Sequence, residues 1–263
     1  FKLSYKMLLN YSSYNNKLEH GEHKDDLFKY GYLGKFTTHT VNSYSVGIDS
    51  VTGHSGQIHT GFSDTLYTFE PAGVNPVAEK YTSNYYTYYN NPADYNQVVN
   101  GGGLVNGYTA GDLSGNVYNI WNSPGKVHDQ YGKTSQQQIR GKLAVDASYK
   151  NTEIKLGFEY SRRTERSYQV APVGLWRRMG MLTNNHILQQ DVSNPQPVYT
   201  DLTGTPDPSD DTIYTGTINY PRSYAGASQS FFDYNLRTKL GMASNSTDWI
   251  DLNALPPETF SMD

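Results

Sequence analysis

The sequence predicts an all-β fold made of long antiparallel strands, of the kind that build a large outer-membrane β-barrel with long extracellular loops. Three observations predict it. Residues 139–160 read as a hairpin with one apolar and one charged face. The 263-residue chain has a mean hydropathy of -0.68 and 36% hydrophobic residues. No stretch approaches the roughly 18 consecutive apolar residues of a membrane helix, a test that barrel strands escape because only alternate residues need be apolar. Finally, strand-like pieces of about 12–18 residues alternate with polar segments of up to about 80, whereas compact soluble domains rarely hold loops beyond about 15.

Taken in order, residues 1–13 place Phe1, Leu3, Tyr5, Met7, Leu9 and Tyr11 on one side of an extended chain. Lys2, Ser4, Lys6, Asn10 and Ser12 fall on the other, and only Leu8 breaks the pattern. Residues 14–27 are polar and read as a loop. A second strand is expected over about 28–48, with Phe28, Tyr30, Tyr32, Gly34, Phe36 and Thr38 on one face. Residues 49–135, rich in Gly, Asn, Pro and Tyr, read as long irregular segments with short strand-like pieces but no sustained apolar face.

The hairpin comes next. Ile139, Gly141, Leu143, Val145, Ala147 and Tyr149 alternate with Arg140, Lys142, Ala144, Asp146 and Ser148. After the break Lys150-Asn151, Ile154, Leu156, Phe158 and Tyr160 alternate with Lys155, Gly157, Glu159 and Ser161. Successive strand side chains point to opposite faces, so each strand is two-sided. In a soluble sandwich the apolar face covers a core; in a membrane barrel it meets lipid and the polar face lines a wet lumen. From Ile139 to Tyr149 the strand rises about 33 Å, and a tilt of about 40° turns that into about 25 Å, the height of a barrel's apolar band. Lys150-Asn151 then fits a periplasmic turn. Arg162, Arg163, Glu165 and Arg166 carry both faces into charge, residues 170–230 are loop-rich, and Phe232, Tyr234, Leu236, Thr238, Leu240 and Met242 suggest a further strand.

Composition narrows the chemistry. Tyrosine is in excess, 24 against 9 Phe and 3 Trp. Its ring can be buried while its hydroxyl stays wet, which suits membrane rims and binding loops alike. With no Cys there is no disulfide framework and no thiolate metal site. A net charge of -4 gives no argument for a nucleic-acid partner.

Individual motifs point to no catalyst, metal or cofactor. His20-Gly21-Glu22-His23 lacks the i, i+4 spacing of a helical zinc site and reads as a solvated loop. Asp201–Asp211 holds Asp oxygens without calcium-loop spacing. Gly101-Gly102-Gly103 has no Lys-Ser/Thr after it and reads as a loop tip. Asp146 and Glu159 sit among Arg140, Lys142 and Lys155, a cross-strand charge ladder rather than a glycosidase pair. The candidate ligand-binding residues are the tyrosines Tyr85, Tyr86, Tyr88 and Tyr89, with Trp121 and Trp176, because aromatic side chains give large contact area at low entropy cost.

Several phrases resemble one family. Asp26-Leu27-Phe28-Lys29-Tyr30-Gly31-Tyr32-Leu33-Gly34-Lys35-Phe36 is similar to a stretch recurrent in TonB-dependent outer-membrane receptors of Bacteroidota, of the Oar-like type. Phe69-Glu70-Pro71-Ala72-Gly73-Val74-Asn75-Pro76 with Tyr81-Thr82-Ser83 resembles a loop of the same receptors. So do Gly115-Asn116-Val117-Tyr118, and Ala171-Pro172-Val173-Gly174-Leu175-Trp176 leading to Asn184-Asn185-His186-Ile187. The resemblance implies that residues 1–263 are part of a receptor barrel in the outer membrane that moves a large ligand, driven by the TonB-ExbB-ExbD complex. It implies partners in outer-membrane lipid and in surface lipoproteins or other outer-membrane subunits. The chain starts inside an alternating run, so the plug, the N-terminal domain and the TonB contact are expected upstream of Phe1. The rival reading is a surface or secreted β-sandwich binding glycans through its Tyr-rich loops; an all-β glycoside hydrolase comes third.

Overall fold

The structure, a computed structural model, describes residues 1–89, 92, 94–112, 126, 128–200, 204 and 213–261. In chain order the strands are β1 (Lys2–Leu18), β2 (Gly34–Ile48), β3 (Ser55–Pro71), β4 (Tyr131–Tyr149), β5 (Thr152–Val170), β6 (Gln196–Thr200) and β7 (Ile213–Asn219). The helices are α1 (Pro76–Tyr88), α2 (Tyr95–Asn100), α3 (Leu175–Leu182) and α4 (Phe231–Lys239). The chain is thus strand-rich with mainly antiparallel pairing, in line with the all-β expectation, and it also carries helices. It divides into two compact units, one of residues Phe1–Tyr30 and His128–Pro172, the other of Gly31–Val127 and Val173–Asp263.

The first unit is a three-stranded antiparallel sheet in the order β1-β4-β5. The expected hairpin is there, closed by Lys150-Asn151, with Lys150 at φ 52 in the left-handed region. Residues 14–18, expected in a loop, extend β1, whose register against β4 runs from Lys2↔Ser148 to Leu18↔Gly132. Unbroken pairing keeps every side chain on its expected face, because a one-residue slip would invert the whole set. The outer edges of β1 and β5 pair with no other strand among the described residues. Beyond β1, Asp25 accepts hydrogen bonds from the Tyr131 hydroxyl and from Lys17 at 2.9 Å. These partners hold its carboxyl down at about 2.

The second unit contains a four-stranded sheet in the order β2-β3-β7-β6, with a short parallel join between β3 and β7 at Gln57↔Thr217 and Ile58↔Ile218. The strand expected from position 28 starts only at Gly34, after a 3-10 turn at Leu27–Lys29. Its pairing with β3 shifts register at His39/Thr40 and at Ser43/Tyr44. Residues 49–135, expected to be irregular with only short strand-like pieces, include the 17-residue β3 and the helices α1 and α2.

Helix α1 starts where Pro76 occupies the first turn, a position whose N–H needs no partner. The Glu79 carboxylate reaches back to accept the N–H groups of Gly73 and Asn75, each at 2.9 Å. Its inner face puts Ala78 against Leu33 and Leu104, and Tyr85 against Phe36, Val98 and Val105. The segment 232–242, expected as a strand, is largely helix α4. Ser230 caps it by accepting the Asp233 N–H at 3.0 Å. Gly241, at φ 73, lets Met242 N–H close on Arg237 O at 2.9 Å, the usual helix stop.

Helix α4 carries a buried polar knot. Arg237 donates to Asp233 at 2.8 Å, to the Asp248 carbonyl at 2.9 Å and to Asn184 at 3.0 Å. Burial would raise the Asp233 pKa, but hydrogen bonds from the Asn184 N–H, Gln229 and Arg237 outweigh it and hold it below the ordinary value. His186 lies 3.4 Å from Asp233, and burial lowers its pKa. The knot is sealed from solvent, so its work is to fix α4 against the loops at 184 and 248.

Candidate functional site

Two surfaces carry chemistry, one in each unit. The first is the sheet of the first unit. Register places residues in rows across its three strands: Leu3-Ala147-Ile154, Tyr5-Val145-Leu156, Met7-Leu143-Phe158 and Leu9-Gly141-Tyr160. All lie on one face. That face is uncovered: Met7 is 74% and Phe158 67% exposed. Monomeric soluble proteins rarely leave a contiguous apolar patch of this extent in water. Aromatic residues stand at both ends of it, Phe1 and Tyr149 toward the hairpin turn, Tyr11 and Tyr160 toward the other end.

The opposite face is polar. Arg140 and Lys142 both reach Glu159, at 2.5 and 2.9 Å. Lys155, expected to join this ladder, pairs instead with Glu153 at 3.2 Å, while Asp146 is its cross-strand neighbour in register. Such half-exposed pairs contribute about 0–1 kcal/mol each. They make the face hydrophilic without adding much stability.

The second surface is built by α1 and the glycines after α2. The tyrosines expected in a loop lie on or just after this helix. Val77, Tyr81, Tyr85 and Tyr88 follow the i, i+4, i+8, i+11 progression that lines one side of a helix. With Lys80, Asn84, Tyr89 and Gly101-Gly102 they frame a hollow of about 390 Å³. A second hollow of about 550 Å³ shares Tyr85, Tyr88, Tyr89 and Gly101.

The candidate residues divide by exposure. Tyr88 is 81% and Tyr89 56% exposed, while Tyr85 is only 7% exposed and stacks on Tyr89 with ring centres 5.0 Å apart. Tyr86 is half-buried and stacks on Phe69 at 6.2 Å; burial raises its hydroxyl pKa. Gly101 belongs to the C-terminal cap of α2 rather than to a loose loop tip, its N–H donating to Gln97 O at 2.9 Å. A Cβ there would come within 2.3 Å of the Tyr85 ring. Glycine is what lets the tyrosine floor sit so close.

The structure places Trp176 in the core, 2% exposed, stacked on Tyr32 at 5.0 Å and edge-on to Phe260 at 5.4 Å. Trp121, Gly115–Tyr118 and, apart from Gly204, Asp201–Asp211 lie outside the described residues. The His20–His23 motif is less solvated than expected: His23 is buried, and its ring stacks on His20 at 4.4 Å and tilts against Tyr30 at 5.5 Å. His20 Nδ1 accepts the N–H groups of Glu22 and His23, both at 3.3 Å.

Tyr81 belongs to the tyrosine run that the sequence presents, whereas Lys80, Asn84 and Val77 do not stand out there. Their helical spacing was the available signal. The hollow offers aromatic faces, phenol hydroxyls, an amide and an ammonium, a set suited to holding a ligand with apolar and hydroxyl-bearing faces. Comparison with protein-family models, with curated proteins and with solved structures finds no match to this chain.

Proposed function

We propose that this chain is a section of an outer-membrane β-barrel receptor of the TonB-dependent kind, which captures a large ligand and moves it across the outer membrane. One observation carries the reading. The β1-β4-β5 sheet holds an apolar face in unbroken register over successive rows, uncovered, with aromatic residues at both ends and a charged face behind it. Lipid satisfies the first face and lumen water the second. The open edges of β1 and β5 are a liability in water, and closure into a barrel by further strands removes them. A sandwich would instead bury the apolar face against a second sheet about 10 Å away.

The TonB-ExbB-ExbD partnership rests on the family resemblance of residues 26–187 and takes its place in the proposal as the energy source. The hollow beside Tyr88 and Tyr89 is the proposed capture surface. The test is fractionation of the full-length protein. The proposal expects it in the outer membrane, extracted only by detergent; recovery from the aqueous fraction as a monodisperse protein contradicts it.

A further inference from the structure

We propose that β5, just past its Tyr160 rim, presents a binding surface for the phosphate groups of lipid headgroups, with Arg162 and Arg166 as its cations. The inference rests on the membrane reading above and adds a ligand to it. Past Tyr160, the side of β5 that carries Ile154, Leu156 and Phe158 continues with Arg162, Thr164, Arg166 and Tyr168. The neighbours in register are Ile139 and Tyr11, then Gln137 and Ser13, then Ser135 and Asn15. These rows contain hydroxyls, amides and two guanidinium groups, and no carboxylate.

The acids nearest in β5, Glu159 and Glu165, project from the opposite face, where Glu165 is engaged by Arg163 at 3.0 Å. The next cations on the same side, Lys17 and Lys133, are met by Asp25 at 2.9 and 3.5 Å. Arg162 and Arg166 are exposed, and among the described residues neither side chain makes an ion pair. At the hairpin end the same side carries Tyr149 and Thr152, and the turn residue Lys150 lies over the Tyr149 ring at 5.4 Å. Among the described residues, two arginines without an ion pair stand at this rim, and no arginine stands at the hairpin end of the same side.

Arg162 adjoins the aromatic rim at headgroup depth, and Arg166 stands further out. Arg162 lies about 7 Å and Arg166 about 20 Å beyond Tyr160 at about 3.3 Å per residue. The guanidinium fork matches phosphate oxygens two at a time. A free phosphate would satisfy the arginines alone. A phosphorylated lipid also covers the apolar rows that adjoin them, so the lipid is the occupant that uses the whole surface. β1 and β5 leave the sheet at this end, away from the two-residue turn, which on the barrel reading is the outer-leaflet side.

The test uses native mass spectrometry of the full-length protein in neutral detergent, titrated with diphosphorylated lipid A, its dephosphorylated counterpart or inorganic phosphate. Each cation near an anionic headgroup contributes about a fivefold gain in affinity, so R162Q/R166Q should bind the diphosphorylated lipid about 25-fold more weakly. R163Q, one residue away but on the other face, should leave binding unchanged, and the dephosphorylated lipid should not distinguish any variant. Equal binding by R162Q/R166Q and wild type, an equal loss in R163Q, or displacement of the lipid by equimolar inorganic phosphate would each overturn the proposal. A protein that stays monodisperse without detergent removes the membrane reading and this surface together. One that needs detergent but fails the lipid arms removes this surface alone.

Discussion

Replacing Phe158 by Arg separates the lipid-facing account from a water-facing one by magnitude. Phe158 pairs with Leu143, and the apolar side of β4 runs from Ile139 to Tyr149, so its centre falls at position 144. Phe158 therefore lies about 3 Å along the strand from mid-belt. An Arg at that depth on the lipid face of a barrel costs about 2–4 kcal/mol, and near the rim about 0–1. Phe158 is already 67% exposed, so if this face met water the same change would fall within about 0.5 kcal/mol. A144R supplies the control, since Ala144 is exposed on the opposite, polar side of β4. The assay is urea unfolding of the full-length protein in lipid vesicles, reading the midpoint at constant m. The account expects a clear midpoint drop for F158R, a small one for Y160R and none for A144R. Equal midpoints for F158R and A144R would refute the reasoning.

Three further outcomes follow from the second unit. R237A strips the buried Asp233 carboxylate of its guanidinium and should destabilise this unit by about 3–5 kcal/mol, read from its thermal unfolding; a loss within error would deny the knot its structural role. Asp49 is held at about 2 by hydrogen bonds from Thr52 and then from the Tyr220 hydroxyl. Its folded pKa lies below the unfolded value, so its contribution is complete above about pH 4 and is lost as pH falls toward 2. D49N should flatten stability across that window, and an unchanged pH profile would count against the assignment. Y88A/Y89A should weaken ligand capture at least about fivefold, because exposed aromatic anchors dominate such surfaces, while membrane insertion is unchanged; undiminished capture would leave the hollow without a binding role.

The sequence made the first unit readable because one physical rule governs it. Ile139–Tyr149 and Thr152–Tyr160 alternate on either side of the Lys150-Asn151 turn, and the structure keeps that register across β1, β4 and β5. Elsewhere two rules competed. Residues 232–242 alternate apolar and polar, yet Ser230, Asp233-Arg237 at i, i+4 and Gly241 supply a start, a staple and a stop, and those local groups win. The tyrosine run reads as loop because its segment is rich in Gly, Asn, Pro and Tyr and holds no sustained apolar face. Pro76 with Glu79 and the spacing of Val77, Tyr81, Tyr85 and Tyr88 already spelled the helix. The burial of Trp176 was not legible, because its partners Tyr32 and Phe260 are far away in sequence and brought together only by folding.

The central claim, that one face of this sheet meets lipid and the other water, is open to direct measurement because the chain has no native cysteine. Single cysteines placed in turn at positions 153–160 of the full-length protein in vesicles can carry a spin label. The label's collision rates with oxygen, which concentrates in lipid, and with a water-soluble nickel chelate then report its surroundings. The account predicts alternation with a period of two: labels at 154, 156, 158 and 160 meet oxygen and are shielded from nickel, and those at 153, 155, 157 and 159 show the reverse. Uniform access of nickel to both sets would contradict it.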